Sequence, residues 1–292
     1  MDFQKADQLL QLLYVGAIGS VVLAKFYPKL NGFLKYGKTL QTNDQSEDNK
    51  QQEEIKNDKL VEPILKIQTP KSWFYHFYII SLTLSTISFG LLHYSLETKD
   101  ESFVKFFQNS YGSISPRISR LGFFLIAVHS FRRLAESLFI FNYGKESKMN
   151  ISHYLVGLFF YSAINISLLL NTSFNSSEFQ NEPELDFKLF APLFLFLTAF
   201  SDQFLNHFHL SKIVKYNLPR FGLFQYICSA HYFDEILIYS SLYLLLGTTT
   251  SLFSLAFVIV NLTVSSIETR NYYKVKHETG KIPRWSIIPF VI

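Results

Sequence analysis

The chain has 292 residues, of which 48% are hydrophobic and 17% aromatic, and its formal net charge is +4. Several apolar runs approach the roughly 20 residues that a helix needs to cross a bilayer, so the composition indicates an integral membrane protein. The single cysteine excludes a disulfide within the chain and a cysteine-based metal cluster. The small positive charge requires no nucleic-acid partner.

Seven apolar runs predict membrane-spanning helices. In chain order they are Leu9–Phe26, Trp73–Tyr94, Leu121–Phe141, Ile151–Leu170, Leu189–His207, His231–Leu246 and Leu252–Ile267. We therefore predict an all-α integral membrane protein with about seven transmembrane helices, forming a single membrane-embedded domain over residues 1–292. No cleavable signal peptide is expected, because only Lys5 precedes the first run as a basic residue and no small-residue cleavage site follows it.

Basic residues in the connections predict the orientation, since Lys and Arg are enriched on the cytosolic side. The connections at residues 25–71, 144–149, 208–225 and 268–292 hold 19 Lys and Arg, whereas those at 1–8, 95–120, 171–188 and 247–251 hold 6. The N-terminus should therefore be luminal and the C-terminus cytosolic. Glycosylation sequons at Asn171 and Asn175 fall on the luminal side. Residues 39–60 are rich in polar residues and predict a disordered cytosolic loop.

Polar residues interrupt the third run. His129, Arg132, Arg133 and Glu136 are spaced i, i+3, i+4 and i+7, so in a helix they share one face. Three formal charges near the bilayer centre would cost on the order of 8–10 kcal/mol before pairing, so this stripe must face protein. One interpretation is an internal salt bridge between an arginine and Glu136. The other is a polar cavity, open to the cytosol, in which Glu136 holds one guanidinium and leaves the other to bind an anionic or carbonyl-bearing ligand.

Four further sets of polar and aromatic residues lie towards the same predicted side. They are Trp73, His76 and Tyr78; Gln203 and His207; His231 and Glu235; and Arg270, Tyr272, Tyr273 and Arg284. Each set alone is typical of an interfacial anchor or a contact between helices. Together they favour a cytosolic site. We expect no metal, because no histidines are spaced HxxxH, and no glycine-rich nucleotide turn is present.

The stretch GLFQYICSAHYFDEI, residues 222–236, resembles the signature of the steroid 5α-reductase family. Within that family, the stretches PKSWFYHFY and HSFRRLAES and the Gln203/His207 pair resemble the polyprenol reductase branch. The resemblance runs in scattered blocks from about Pro70 to Ile292. It implies a seven-helix membrane enzyme that binds NADPH from the cytosol, mainly through residues 200–292, and holds a hydrophobic substrate in its N-terminal helices.

Roles carried over from the resemblance divide the polar residues into groups. The cofactor-binding positions are Gln203, His207, Tyr226, His231, Glu235, Arg270 and Tyr273. The polar end of the substrate pocket includes Trp73, Arg132 and Glu136. The catalytic candidates are His76, Tyr78, His129 and Arg133. The chain also departs from its steroid-reducing relatives: His76 and Phe77 stand where they have Gln-Glu, Ser130 where they have Tyr, and Arg270 where many have His.

These departures disfavour a steroid substrate, since the groups that polarise a ring ketone are replaced. A linear isoprenoid fits better. Hydride adds to a C=C bond only if the developing charge is delocalised, which a conjugated aldehyde permits and an allylic alcohol does not. The expected reaction is NADPH-dependent reduction of the α-isoprene double bond of polyprenal, in the endoplasmic reticulum membrane, for dolichol synthesis and protein N-glycosylation. The expected partners are the bilayer and a long-chain isoprenoid, with no obligate protein partner.

Other functions remain open from the sequence. The alternatives are a steroid or enoyl-CoA reductase of the same family, a prenylcysteine methyltransferase of similar architecture, and a channel or scaffold without enzymatic activity. An enoyl-CoA reductase usually carries a soluble N-terminal domain, whereas about eight residues precede the first apolar run here. Tight NADPH binding would separate a reductase from a channel and from a methyltransferase.

Overall fold

The computed structural model describes residues 2–34, 61–98, 112–144, 147–174, 187–214, 217–277 and 282–292. Within these ranges the chain is mostly helical. The predicted disordered loop at residues 39–60 and the sequon at Asn175 lie outside the described residues.

Eight α-helices and a two-stranded antiparallel sheet make up most of the described part of the chain. The helices are α1 (Phe3–Phe26), α2 (Val61–Lys66), α3 (Phe74–Thr98), α4 (Pro116–Ala135), α5 (Ile151–Leu170), α6 (Phe190–Lys212), α7 (Ala230–Leu246) and α8 (Thr249–Lys276). The strands are β1 (Gln68–Pro70) and β2 (Lys148–Asn150). A π-helical turn, Glu136–Ile140, continues α4, and short 3₁₀ turns cover Pro28–Leu34, Lys71–Trp73, Phe187–Leu189 and Gly222–Gln225.

Capping residues extend several helices beyond the predicted apolar runs. The Asp2 side chain accepts a hydrogen bond from the Lys5 backbone N–H at 3.1 Å and so starts α1 six residues before the first run. Ser115 caps α4 in the same way, and Thr248 caps α8. Gly247, at a φ of 63°, ends α7 in the left-handed conformation that glycine adopts without strain.

Each predicted run coincides in large part with one of the seven long helices of the described residues. In the part of the chain that the structure describes, four stretches are long and apolar enough to cross a membrane: Phe3–Phe26, Lys71–Thr98, Ile151–Leu170 and Thr249–Lys276. Large apolar side chains such as Leu12 and Leu23 lie exposed on α1, at 68% and 62%, as expected of a surface that contacts lipid. These are the features of an integral membrane protein. The other long helices are not in this set: α4 carries the charged stripe, and α7 has only 17 residues.

A buried carboxylate joins three helices at one end of the bundle. Asp7 on α1 is 2% exposed, and its oxygens accept hydrogen bonds from Asn171 Nδ2 at 2.9 Å, Thr250 Oγ1 at 2.8 Å and Gln11 Nε2 at 2.9 Å. The start of α1, the end of α5 and the start of α8 therefore meet here. Asn171 is itself 6% exposed, so its amide is not accessible for glycosylation in this conformation.

The opposite end, which we call the polar end, carries the sequence's polar stripe. Here β1 pairs with β2, with Thr69 opposite Met149, and this pairing fixes the starts of α3 and α5 beside each other. Lys25 and Glu268 form a salt bridge of 2.5 Å that ties the end of α1 to α8. Among the described helices, α3 packs chiefly on α4, α6 on α7, and α1 on α8.

Candidate active site

The four residues of the predicted stripe lie on one inward face of α4 and its π-helical continuation. His129, Arg132 and Glu136 are 3%, 8% and 1% exposed. Glu136 Oε1 accepts a hydrogen bond from Arg132 Nη1 at 3.0 Å, and its Oε2 accepts one from Arg133 Nη1. The expectation that Glu136 would hold only one guanidinium is therefore wrong, because each carboxylate oxygen takes one arginine. Such charge-assisted hydrogen bonds are about twice as strong as neutral ones.

A π-helical turn follows the two arginines on α4. It begins at Glu136, directly after the regular part of α4, and adds about one residue to this turn of the helix. An insertion of this kind shifts the direction of the side chains that follow it. Such turns are frequent at functional sites, and the hydrophobic pattern gives no signal for them.

Helix α3 contributes a phenol to this stripe. Arg133 Nη2 donates to the Tyr78 hydroxyl at 2.9 Å, and the guanidinium carbon lies 5.1 Å from the centre of the Tyr78 ring. Tyr78 is 5% exposed, and its ring meets Tyr161 of α5 edge-on at 5.3 Å. The Tyr78 oxygen accepts a hydrogen bond from a cation, and this polarises the Tyr78 O–H bond. The hydroxyl is therefore a stronger hydrogen-bond donor than an isolated phenol.

Helices α6 and α7 close the other side of the stripe. Arg132 donates to Gln203 Oε1, and Gln203 Nε2 donates to Glu235 and, at 3.0 Å, to the backbone oxygen of His231. His207 Nδ1 lies 2.8 Å from Glu136 Oε2, and His129 Nε2 lies 3.4 Å from Glu235 Oε1. The Arg132 guanidinium also stacks on the Phe200 ring at 4.2 Å.

The structure thus brings together residues that the resemblance assigned to two different groups. The substrate-pocket and catalytic candidates Tyr78, His129, Arg132, Arg133 and Glu136 form one connected set with the cofactor candidates Gln203, His207, His231 and Glu235. Two guanidiniums and two carboxylates balance one another in charge. A buried set of this kind is stable only when each member is paired, so it holds four helices in a fixed arrangement.

Two predicted residues lie apart from this connected set, which we call the α4 network. His76 Nδ1 lies 3.0 Å from the Tyr154 hydroxyl of α5, and the Trp73 ring lies 5.5 Å from both the His76 and the Tyr154 rings. Trp73 is 38% exposed, as expected of an aromatic residue at a membrane interface. His76 and Tyr78 are two residues apart on a helix and so point to different faces. Tyr154 was not identified from the sequence.

Three further predicted cofactor residues lie in the C-terminal region. Arg270 Nε is 3.5 Å from the Pro283 oxygen, and Tyr273 donates to the Asn217 oxygen at 3.4 Å. The Tyr226 side chain is 56% exposed, while its backbone oxygen accepts a hydrogen bond from the Trp285 N–H at 3.3 Å. The chain's last described segment therefore packs against the GLFQYICSAHYFDEI stretch, directly before α7.

Tyr143 lies just beyond the π-helical turn, next to Ser137. Its hydroxyl lies 3.0 Å from Ser137 Oγ, and burial raises the pKa of its phenol to about 12. It is therefore a neutral hydrogen-bonding group at physiological pH. Among the described residues, no group of three or more His, Cys, Asp and Glu side chains is arranged to hold a metal ion.

Comparisons with known proteins agree with the resemblance in the sequence. Residues 147–292 match the family described as 3-oxo-5-alpha-steroid 4-dehydrogenase. The chain is 34% identical to the polyprenal reductase of Saccharomyces cerevisiae over 97% of its own length and 94% of that protein. It is 29% identical to the polyprenal reductase of Drosophila melanogaster, over 77% of each chain, and 29% identical to that of Caenorhabditis elegans, over 88% and 85%.

The family match covers the half of the chain that contributes Gln203, His207, His231 and Glu235 to the α4 network. The similarity to the yeast protein extends through the other half, which contributes Tyr78 and the stripe. Enzymes of this family generally use a nicotinamide cofactor. The chain belongs to the 3-oxo-5-alpha-steroid 4-dehydrogenase family, in the branch that includes the polyprenal reductases.

Proposed function

We propose that the chain is a polyprenal reductase, which reduces the α-isoprene double bond of polyprenal with NADPH and supplies dolichol synthesis for protein N-glycosylation. The observation that carries this proposal is the similarity to the yeast polyprenal reductase along 97% of the chain. The α4 network supports it, because it places polarised donors and balanced charges inside a helical membrane protein.

The chemistry requires a group that stabilises negative charge on the aldehyde oxygen. Hydride addition at the β-carbon moves the π electrons through the conjugated system to the carbonyl oxygen, and a proton from solvent then adds to the α-carbon and restores the aldehyde. The Tyr78 O–H, polarised by Arg133, is the donor that fits this oxygen best. Glu136 and His129 both contact Arg132 and so help to hold the guanidinium groups in place around the Tyr78 hydroxyl.

The donor groups near the α4 network fit a nicotinamide dinucleotide, and we assign NADPH as the cofactor. Gln203, His207, His231 and Glu235 offer amide, imidazole and carboxylate groups where α6 and α7 meet. Tyr226, Arg270 and Tyr273 would bind the rest of the cofactor. Exposed cations for the phosphates are available nearby at Lys274 and Arg284. When bound, NADPH supplies the hydride.

We further propose that all seven long helices span the membrane of the endoplasmic reticulum, with the N-terminus luminal and the C-terminus cytosolic. The 19 to 6 distribution of basic residues supports this orientation, as does the location of the α4 network at the end to which the cytosolic connections lead. A protease added outside intact microsomes should then cleave within residues 39–60. Full protection of that loop would contradict the orientation.

The proposal needs the bilayer and a long-chain isoprenoid, and it involves no nucleic acid and no protein partner. The isoprenoid tail would leave the site between helices and lie among lipid chains. Purified protein in detergent or in vesicles should therefore convert polyprenal and NADPH to the saturated aldehyde, measured by mass spectrometry, without any added protein. Folded protein that binds NADPH but leaves polyprenal unchanged would contradict the proposed substrate.

A further inference from the structure

A second polar cluster lies within the bundle, on the three helices that surround Tyr78. Ser130 Oγ of α4 donates to Ser81 Oγ of α3 at 2.8 Å, and Asn165 Nδ2 of α5 donates to the same oxygen at 3.1 Å. All three side chains are buried, at 1%, 1% and 2% exposure. We call these residues the hydroxyl–amide cluster. The sequence analysis singled out only Ser130, where the steroid-reducing relatives have Tyr.

This cluster lies one helical turn deeper than the layer formed by Tyr78, Arg133 and Tyr161. Ser81 follows Tyr78 by three residues on α3, and Ser130 precedes Arg133 by three on α4. Asn165 follows Tyr161 by four on α5, and its amide also donates to the Tyr161 backbone oxygen at 3.0 Å. Residues three or four apart lie above one another on a helix, so the two layers of side chains are stacked along the helices, one turn apart.

The hydrogen bonds of Ser81 leave its own hydrogen unused. Its oxygen accepts two hydrogen bonds, which occupy both of its lone pairs. Ser85, one turn further on the same helix, shows the usual solution in an apolar helix, because its hydroxyl donates to the backbone oxygen of Ser81 at 2.7 Å. Within the described part of the chain, Asn165 Oδ1 has no hydrogen-bond partner.

Turning the Asn165 amide over does not remove the surplus donor. In that orientation Oδ1 would accept the Ser81 hydrogen, and the amide N–H groups would then point to where Oδ1 lay. The flipped amide would lose both acceptors that its N–H groups now use, Ser81 Oγ and the Tyr161 backbone oxygen, so the first arrangement is favoured and the Ser81 hydrogen is left as a surplus donor in a place shielded from water. Because leaving a buried polar group unpaired is destabilising, such a donor is retained where a ligand takes the hydrogen bond.

We propose that the hydroxyl–amide cluster supplies the second hydrogen bond to the aldehyde oxygen of the substrate, with Ser81 as the donor and Ser130 and Asn165 as positioning residues. The inference rests on the proposed reduction of polyprenal. A carbonyl oxygen that gains charge can accept two hydrogen bonds, and the Tyr78 O–H provides only one. Ser81 lies on the same face of α3 as Tyr78, so both hydroxyls can reach an oxygen held between the layers.

The test compares Ser81→Ala, Ser81→Thr and the matched control Ser85→Ala for folded yield, NADPH affinity, and kcat and KM with polyprenal. Ser85 is as deeply buried as Ser81, but among the described residues its hydroxyl bonds only to backbone oxygens of its own helix. We expect Ser81→Ala to lower kcat per folded molecule by about 10- to 100-fold with NADPH affinity unchanged, because the lost donor acts on the developing charge. Its folded yield should fall as well, because Ser130 and Asn165 lose the oxygen to which they donate. Ser81→Thr keeps the hydroxyl and should retain most of the rate, and Ser85→Ala should behave as wild type.

Asn165→Leu tests the positioning role in the same assay. It should lower kcat less than Ser81→Ala does, and adding it to Ser81→Ala should cause little further loss, because both act through one hydroxyl. If wild-type protein reduces polyprenal and Ser81→Ala does so with an unchanged kcat, the inference is wrong while the proposed function stands. If wild-type protein fails to reduce polyprenal, the proposed function itself is wrong.

Discussion

Arg133 donates hydrogen bonds to both the Tyr78 hydroxyl, at 2.9 Å, and the Glu136 carboxylate. One guanidinium therefore connects the phenol of α3 to the carboxylate of the π-helical turn, and Glu136 in turn contacts Arg132 and His207. The phenol that we assign to the substrate is held by a side chain that is itself fixed by Glu136 and by His207 of α6. This relationship determines which substitutions should change the chemistry and which should change folding.

Tyr78→Phe should lower kcat/KM for polyprenal by about 100-fold, in the range measured when a single donor to a developing oxyanion is removed. The ring and its contact with Arg133 remain, so folded yield and NADPH affinity should not change. Steady-state kinetics on purified protein measures the effect. Tyr94→Phe is the matched control, because Tyr94 lies near the other end of the same helix and is 56% exposed. Equal rates for the two variants would show that the phenol has no catalytic role.

Glu136→Ala should mainly reduce the yield of folded protein. It leaves two buried guanidiniums without their carboxylate, and breaking a buried pair in this way costs about 3–5 kcal/mol. His129→Ala removes a group that carries no obligatory charge, so that variant should fold and lose turnover. Both need to be measured for folded yield, by size-exclusion chromatography, and for polyprenal reduced per folded molecule. Normal folding and a wild-type rate in Glu136→Ala would mean that the stripe is neither a structural pair nor a site.

His231→Ala should raise the KM for NADPH with little effect on the KM for polyprenal. Its ring lies 5.5 Å from the His207 ring and 5.8 Å from Phe224, between the α4 network and the family signature stretch. His231→Asn, which keeps a hydrogen-bonding side chain, should be affected less. His93→Ala at the opposite end of the bundle is the control. A changed KM for polyprenal alone would reverse the assignment of His231 to the cofactor.

Gly157→Ala should destabilise the protein and reduce activity together. A Cβ at Gly157 would lie 2.5 Å from the Phe77 ring, so this buried ring, or α3 and α5 beside Tyr78, would have to move. Gly90→Ala, also within a helix, meets no described residue within 4 Å and should instead stabilise by up to about 1 kcal/mol, as expected when alanine replaces glycine in a helix. Thermal unfolding of both variants in detergent measures the difference. A lower melting temperature for Gly90→Ala than for Gly157→Ala would contradict the packing of these two helices.

The sequence predicted the helices and the stripe because both depend on local spacing. Apolar runs predict helices, and the i, i+3, i+4, i+7 spacing of His129 to Glu136 predicts one face, which the structure confirms. The family resemblance is confirmed by the comparisons. The helix ends were less accurate, since caps such as Asp2 and Ser115 extend a helix beyond its apolar run.

The sequence could not predict which helix pairs with which. That Arg132 meets Gln203 depends on tertiary packing and not on spacing along the chain, and the hydrophobic pattern gives no signal for the π-helical turn at Glu136. Ser81 and Asn165 gave no signal either, because serine and asparagine in an apolar helix usually bond to their own backbone. The separation of His76 from Tyr78 could have been anticipated, since residues two apart on a helix face different directions.

The most direct test of the central claim is the position of the transferred hydride. Purified protein is incubated with polyprenal and NADPH carrying deuterium at the transferable position of the nicotinamide, and the product is analysed by mass spectrometry and NMR. Conjugate reduction predicts one deuterium on the β-carbon of a saturated aldehyde. An allylic alcohol with deuterium on the carbonyl carbon would show that the enzyme reduces the aldehyde and not the double bond, and would contradict the proposed function.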